Sequence, residues 1–225
     1  IEGTLGSIAY VREVLFPYAD ERLDAFVEEN RDDPKVRALL DSAAREAGVD
    51  ASDTAGILAA LHRWIASDAK VTALKSLQGL IWQEGYERHG VRAHVYEDAI
   101  AAMRRYVADG AALYVYSSGS IAAQRLFFGY SAAGDLLPLL SGFFDTTIGS
   151  KVEAPSYARI AEAIGVEPAR IAFFSDNAAE LDAAREAGLQ TVQLARPEDG
   201  TVAVDRHPAV TTFDGVALHL SRTAI

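Results

Sequence analysis

The chain has 225 residues, 50% of them hydrophobic and 24% charged, with no cysteine and a formal net charge of −11. That length buries a sizeable core and suits one large domain, or a core carrying an insertion. The composition excludes disulfides, thiolate chemistry and Cys-ligated zinc within these residues. It also speaks against a broad basic surface for nucleic acid. No apolar run reaches the about 18 residues of a membrane-spanning helix. The expected setting is a reducing cytoplasm, with a small molecule as ligand and neither nucleic acid nor membrane as partner. An anionic ligand would need local positive charge from a metal, a lysine or helix N-termini.

In chain order, "IEGT" at Ile1–Thr4 reads as the end of a strand turning into a glycine loop. From about Asp20 to Arg105 the pattern predicts helices only. "PKVRALLDSAAREAG" sets Val36, Leu39, Leu40, Ala43 and Ala47 at helical spacing and stops at Gly48. "ASDTAGILAALHRWIASD" offers Ser52 or Asp53 as a cap, then Leu58, Leu61 and Ile65 on one face. "DAKVTALKSLQGLIW" continues with Val71, Leu74, Leu77 or Gln78, and Ile81. "YEDAIAAMRRYVADG" follows with Ile100, Met103 and Val107, ending at Gly110.

After Gly110 the texture changes. "ALYVY" runs into "SSGS", "RIAFFSD" carries Ile171–Phe174 into Ser175 and Asp176, and "TVQL" covers Thr191–Leu194. Helices are expected between them, over Ile121–Phe128, Ser156–Ile164 and Glu180–Ala187. Strands alternating with helices predict βαβ crossovers and a buried parallel sheet. Ligands of such sheets bind beyond the carboxyl ends of the strands. Glu2, Ser117, Ser118 and Asp176 all fall at such ends. The stretch after Pro197 is expected to add a final edge strand.

Four segments therefore compete between two readings. Gly3 serves a tight turn, "SSGS" caps a helix, Lys151 is a surface lysine and Asp176 caps the helix that begins near Ala178. Alternatively, the four form one phosphoryl site. Hydroxyl and N–H donors at Ser117, Ser118 and Gly119 surround the phosphate oxygens, and Lys151 offsets their charge. Glu2 and Asp176 then supply oxygen ligands for Mg²⁺. Glu180 and Asp182 stand just behind. The second reading lacks a nucleophile.

In this order the segments resemble the haloacid dehalogenase-like phosphatases. Their first motif is a nucleophilic aspartate, an apolar residue, a second acid, then Gly-Thr. "IEGT" matches it from the second position on. The resemblance thus implies that the attacking Asp directly precedes Ile1. It is expected at the end of roughly 8–12 further strand-like residues. "VREVLFPYA", "LKSLQGLIWQEGY", the long stretch Leu113–Tyr157 and "SDNAAELDAAREAG" extend the likeness to the enolase-phosphatases of methionine salvage, over Ile1 to about Pro197. Leu5 and Tyr106 depart from the family pattern, which has Thr and Trp there.

The resemblance implies a Rossmann-like α/β core of the haloacid dehalogenase type, residues 1–14 and 107–225, with an all-helical cap over 15–106. It implies one Mg²⁺, a monomer, and conversion of 2,3-diketo-5-methylthiopentyl-1-phosphate to the acireductone 1,2-dihydroxy-3-keto-5-methylthiopentene and phosphate. Residue by residue, it makes Glu2 a metal ligand and a candidate proton shuttle. Ser117, Ser118 and Gly119 hold phosphate. Lys151 binds phosphate and steadies the nucleophile, and Asp176 ligates the metal. Asp182 is read as a helix-surface or supporting residue. In the cap, Lys75, Gln78, Trp82 and Tyr86 share one helix, and the two aromatics either line a pocket for the methylthio tail or pack the cap core. His89 and His94 are read as surface or hinge residues. Two other outcomes stay open: a phosphatase for another small phosphate ester, and a catalytically dead phosphate-binding relative if no aspartate precedes Ile1.

Overall fold

The computed structural model describes residues 1–217; residues 218–225 of the expected core range lie outside the described residues. The chain divides into two compact units, one made of residues 1–8 and 92–225, the other of residues 9–91.

The second unit is helical because its sequence supplies both the apolar stripes and the stops. A single turn Ile8–Tyr10 (α1) opens at the unit boundary and passes through a π-helical stretch, Val11–Leu15, into α2, Phe16–Glu29. Then come α3, Pro34–Ala47, α4, Thr54–Ala66, and α5, Thr72–Arg88. Asp33 caps α3 by accepting from the Lys35 N–H at 2.7 Å, with Pro34 in the first turn. The helix ends at Gly48 in a left-handed conformation, φ 69°. Asp53 caps α4 by accepting from the Gly56 N–H at 2.9 Å. Leu23, Val36, Ile57, Leu61, Leu74, Leu77 and Ile81 meet in one buried core. Leu39, Leu40 and Leu58 pack on its margin, as helical spacing predicts.

The first unit is the α/β core. It contains α6, Glu97–Ala108; β1, Tyr114–Tyr116; α7, Ile121–Gly129; β2, Gly142–Phe144; α8, Ala154–Ile164; β3, Ala172–Ser175; α9, Ala178–Glu186; β4, Gln190–Leu194; and β5, Ala209–Val210. Every strand pair is parallel: β1 with β2, β3 with β4, β4 with β5. β5 forms the expected edge after Pro197. β2 has no clear signal in the sequence, because its three residues begin with Gly and are too short to show a period.

Helix α6 belongs to this unit, although its pattern reads as a continuation of the preceding helices. Periodicity shows that Ala99, Ile100, Met103 and Tyr106 face a core, but not which one. Here Tyr106 stacks beside Phe174 of β3, ring centres 6.4 Å apart.

The expected single buried sheet is present as two pieces, β1–β2 and β3–β4–β5. Between them lies a cavity of about 510 Å³, lined by Tyr114 and Tyr116 of β1, Phe173 and Phe174 of β3, and Met103 and Tyr106 of α6. Among the described residues β1 and β3 each pair along one edge only. Phe173 and Phe174 are accordingly half-buried, where a central parallel strand would bury them.

Candidate active site

The glycine loop after Ile1 is drawn against the end of β3. Gly3 adopts φ +75°, and a Cβ there would lie 2.7 Å from Asp176 Oδ2, so only glycine fits. The buried Thr4 hydroxyl donates to Asp176 Oδ1 at 3.1 Å and accepts from the Asp176 N–H at 3.2 Å. Asp176 is therefore not the helix cap. Asn177 takes that part, accepting from the Ala179 N–H at 2.9 Å, and leaves the Asp176 carboxylate to the site. Behind it, buried Gln193 donates to the Asp176 carbonyl at 3.1 Å.

Lys151 is mostly buried and pairs with Glu180 at 2.8 Å. The other Glu180 oxygen accepts from the Ser175 hydroxyl at 2.9 Å. The loop carrying Lys151 is fixed from two sides. Tyr157 donates to the Lys151 carbonyl at 2.6 Å, and Tyr116 of β1 donates to the Gly149 carbonyl at 2.8 Å. Burial, with Glu180 adding to it, pushes the Tyr157 phenol far above its usual range, so it remains a donor.

Ser117 lies buried just beyond β1, and its oxygen accepts from the Gly119 N–H at 3.3 Å. Ser118 and Gly119 are exposed. Ser120 caps α7 through the Ala123 N–H at 3.2 Å. "SSGS" thus serves both readings, phosphate loop and helix start. Gln124, fully buried, donates to the carbonyls of Gly119 at 2.8 Å and Phe144 at 2.9 Å. It ties the loop to the end of β2.

Glu2 is exposed. The Ile1 nitrogen lies within electrostatic range of Glu2, Lys151, Asp176 and Glu180. The loop, Lys151 and Asp176 are thus brought to one place, which the sequence anticipates. The roles of Glu180, Thr4, Gln124 and Gln193 are not read there. For Glu180 a signal existed: it stands four residues after Asp176, one helical turn on. Asp182, two residues further, turns away. It joins Arg206 at 2.9 Å and His207 at 3.0 Å, and this pairing, Arg206 first, holds its carboxyl down to about 2.

In the helical unit, Trp82 donates to the Leu15 carbonyl at 2.8 Å and stacks on Phe16. Tyr86 is buried with its hydroxyl 3.3 Å from that of Tyr10. Both therefore pack the unit's own core. Gln78 is buried, while Lys75, His89 and His94 are exposed. The His94 ring accepts from the Ser7 N–H at 3.3 Å.

Hard oxygen ligands are what Mg²⁺ prefers, commonly one or two carboxylates completed by water and phosphate oxygens. Asp176, half-buried with one oxygen steadied by Thr4, suits that pattern. Among the described residues no cluster of three or more His, Asp or Glu side chains offers an all-protein cage. No helix among them is long and apolar enough to cross a membrane.

The family model for haloacid dehalogenase-like hydrolases matches residues 26–188, more than half the chain. An enolase-phosphatase E1 of Azotobacter vinelandii is 52% identical over 216 residues, covering 96% of this chain and 94% of that protein. One from Pseudomonas aeruginosa is 50% identical over 218 residues, covering 97% and 96%. The crystal structure of the UTR4 protein of Saccharomyces cerevisiae superposes with a TM-score of 0.80 at 34% identity, covering 96% of each chain. The chain belongs to the haloacid dehalogenase-like hydrolases and, among them, to the enolase-phosphatases.

Proposed function

We propose that the protein converts 2,3-diketo-5-methylthiopentyl-1-phosphate to the acireductone 1,2-dihydroxy-3-keto-5-methylthiopentene and phosphate, as a cytoplasmic monomer of the methionine salvage pathway. The observation that carries this reading is the gathering of Lys151, Glu180, Asp176 and the glycine loop around the Ile1 nitrogen, in a chain about half identical to enolase-phosphatases.

The nucleophile is an aspartate bonded to that nitrogen. A strand ending in this aspartate would fit beside β1 and β3, along the edges that are unpaired among the described residues. Spanning the four residues of β3 takes about 13 Å of strand. The carboxylate attacks phosphorus as the P–O bond to the leaving alcohol breaks, Glu2 as candidate shuttle gives the leaving oxygen its proton, and water then hydrolyses the aspartyl phosphate to phosphate and the free carboxylate. Ser117, Ser118 and Gly119 bind the phosphate oxygens. Lys151, held by Glu180, balances the charge of the phosphoryl group and the nucleophile. Glu2 and Asp176 would hold one Mg²⁺, and the ion would supply positive charge against the repulsion between two anions. Glu2, the exposed acid next to the nucleophile, is the candidate proton shuttle for enolisation.

The test is phosphate release from the diketo ester beside a panel of sugar phosphates, using protein that includes the residues before Ile1. Matched release of phosphate and acireductone from the diketo ester alone is expected. Equal turnover of sugar phosphates would favour a general phosphatase. No turnover, with no aspartate before Ile1, would favour a dead relative. Light scattering of the purified protein checks the monomer.

A further inference from the structure

Among the described residues, the most deeply buried charge lies outside the groups assigned to chemistry. Arg196, just after β4, is 1% exposed. A guanidinium that far from water persists only when its donors are matched. Its Nε donates to the Thr4 carbonyl at 3.0 Å and its Nη2 to Asp98 Oδ2 at 2.8 Å, with Glu198 3.8 Å from Nη1. Its plane lies over the Tyr96 ring, 4.0 Å from the centre. Asp98 is fixed in turn by the Phe213 N–H at 2.7 Å. The neighbouring main chain is gripped as well. Tyr96 N–H donates to the Leu5 carbonyl at 2.9 Å, and Ile8 N–H donates to Asp199 at 2.9 Å.

The bonds from Arg196, Tyr96 and Asp199 act directly on the segment Thr4–Ile8, and Thr4 is the residue whose hydroxyl both donates to and accepts from Asp176. We infer that Arg196, locked by Asp98, is a positioning residue: through the Thr4 carbonyl it sets the Thr4 hydroxyl and hence the direction of the Asp176 carboxylate toward a divalent cation. Structural stability alone would be served as well by an apolar side chain of similar size. The forked donor geometry instead fixes one carbonyl in one direction, which Lys cannot reproduce.

This inference rests on Asp176 being a metal ligand, and the experiment separates the two. Mn²⁺ binding to the purified protein is followed by electron paramagnetic resonance, without substrate, for the wild type and for Asp176→Asn, Arg196→Lys, Asp98→Asn, Thr4→Val and Thr4→Ser. Asp176→Asn should abolish binding. Arg196→Lys and Thr4→Val should each weaken it about 10-fold, the lower end of what partners orienting metal ligands contribute. Asp98→Asn should weaken it less, and Thr4→Ser should restore it. If Asp176→Asn binds Mn²⁺ normally, the metal reading itself fails. If Asp176→Asn abolishes binding while folded Arg196→Lys or Asp98→Asn binds like the wild type, the positioning role of Arg196 is overturned. Should Arg196→Lys not fold, Asp98→Asn, which keeps the arginine and loosens its grip, decides the matter by the same criterion.

Discussion

The helical unit and the α/β unit solve the same burial problem with different degrees of self-sufficiency. In residues 9–91 each helix satisfies its own backbone, and amphipathic faces need only meet. The result is a closed core around Leu23, Leu61, Leu77 and Ile81. In the other unit strands must find neighbours from elsewhere in the chain, and among the described residues β1 pairs with β2 and β3 with β4. The cavity between them is lined by Phe173, Phe174 and Tyr114, side chains made for a sheet interior. Helices close a core from local sequence, whereas a sheet is only as complete as its central strand.

The strongest effect bears on the proposed nucleophile. If an aspartate directly precedes Ile1, as proposed, changing it to Asn should lower phosphate release by about 10⁴-fold or more, the scale of a lost nucleophile. Single-turnover trapping of the phosphoenzyme would confirm it, and an active Asn variant would break the assignment. Next, Lys151→Met should reduce kcat by about 10²–10³-fold, since it removes a fixed charge from the transition state. Glu180→Gln should do less, because the ammonium stays while its anchor weakens. Steady-state kinetics of both variants would reveal a reversed order.

A stability pair sharpens the comparison directly. Leu77→Ala should cost about 2–5 kcal/mol by urea unfolding, the usual range for a filled core site. Phe173→Ala should cost less in the same measurement, because that ring is only half-buried; an equal or larger cost would break the contrast.

The smallest effect is a titration in the helical unit. His62 lies 2.6 Å from Asp20 and 2.9 Å from Asp24, and these carboxylates, Asp20 first, raise its pKa above 6.5. The protonated pair stabilises the unit below about pH 6.5, and this share fades as the pH rises through the raised value. The site is largely exposed, so the share is small. NMR titration of the His62 ring should give a pKa above 6.5, falling back when Asp20 and Asp24 become Asn.

The classes of element and the polar residues at their ends are legible along the chain. Val36, Leu61 and Leu77 stand at helical spacing, Asp53 and Gly48 mark helix limits, and short apolar runs flow into Ser117 and Asp176. These are local signals, written within one or two turns of chain. Which core each element serves is settled by contacts between segments far apart in the chain. Helix α6 looks like its helical predecessors, yet Tyr106 packs on Phe174, because an apolar stripe carries no address. The tertiary structure likewise chose Asn177 over Asp176 as the cap, paired Glu180 rather than Asp182 with Lys151, and buried Arg196 between Asp98 and Thr4. Those choices depend on partners some 30 to 190 residues away, and no pattern along the chain records a hydrogen bond of that span.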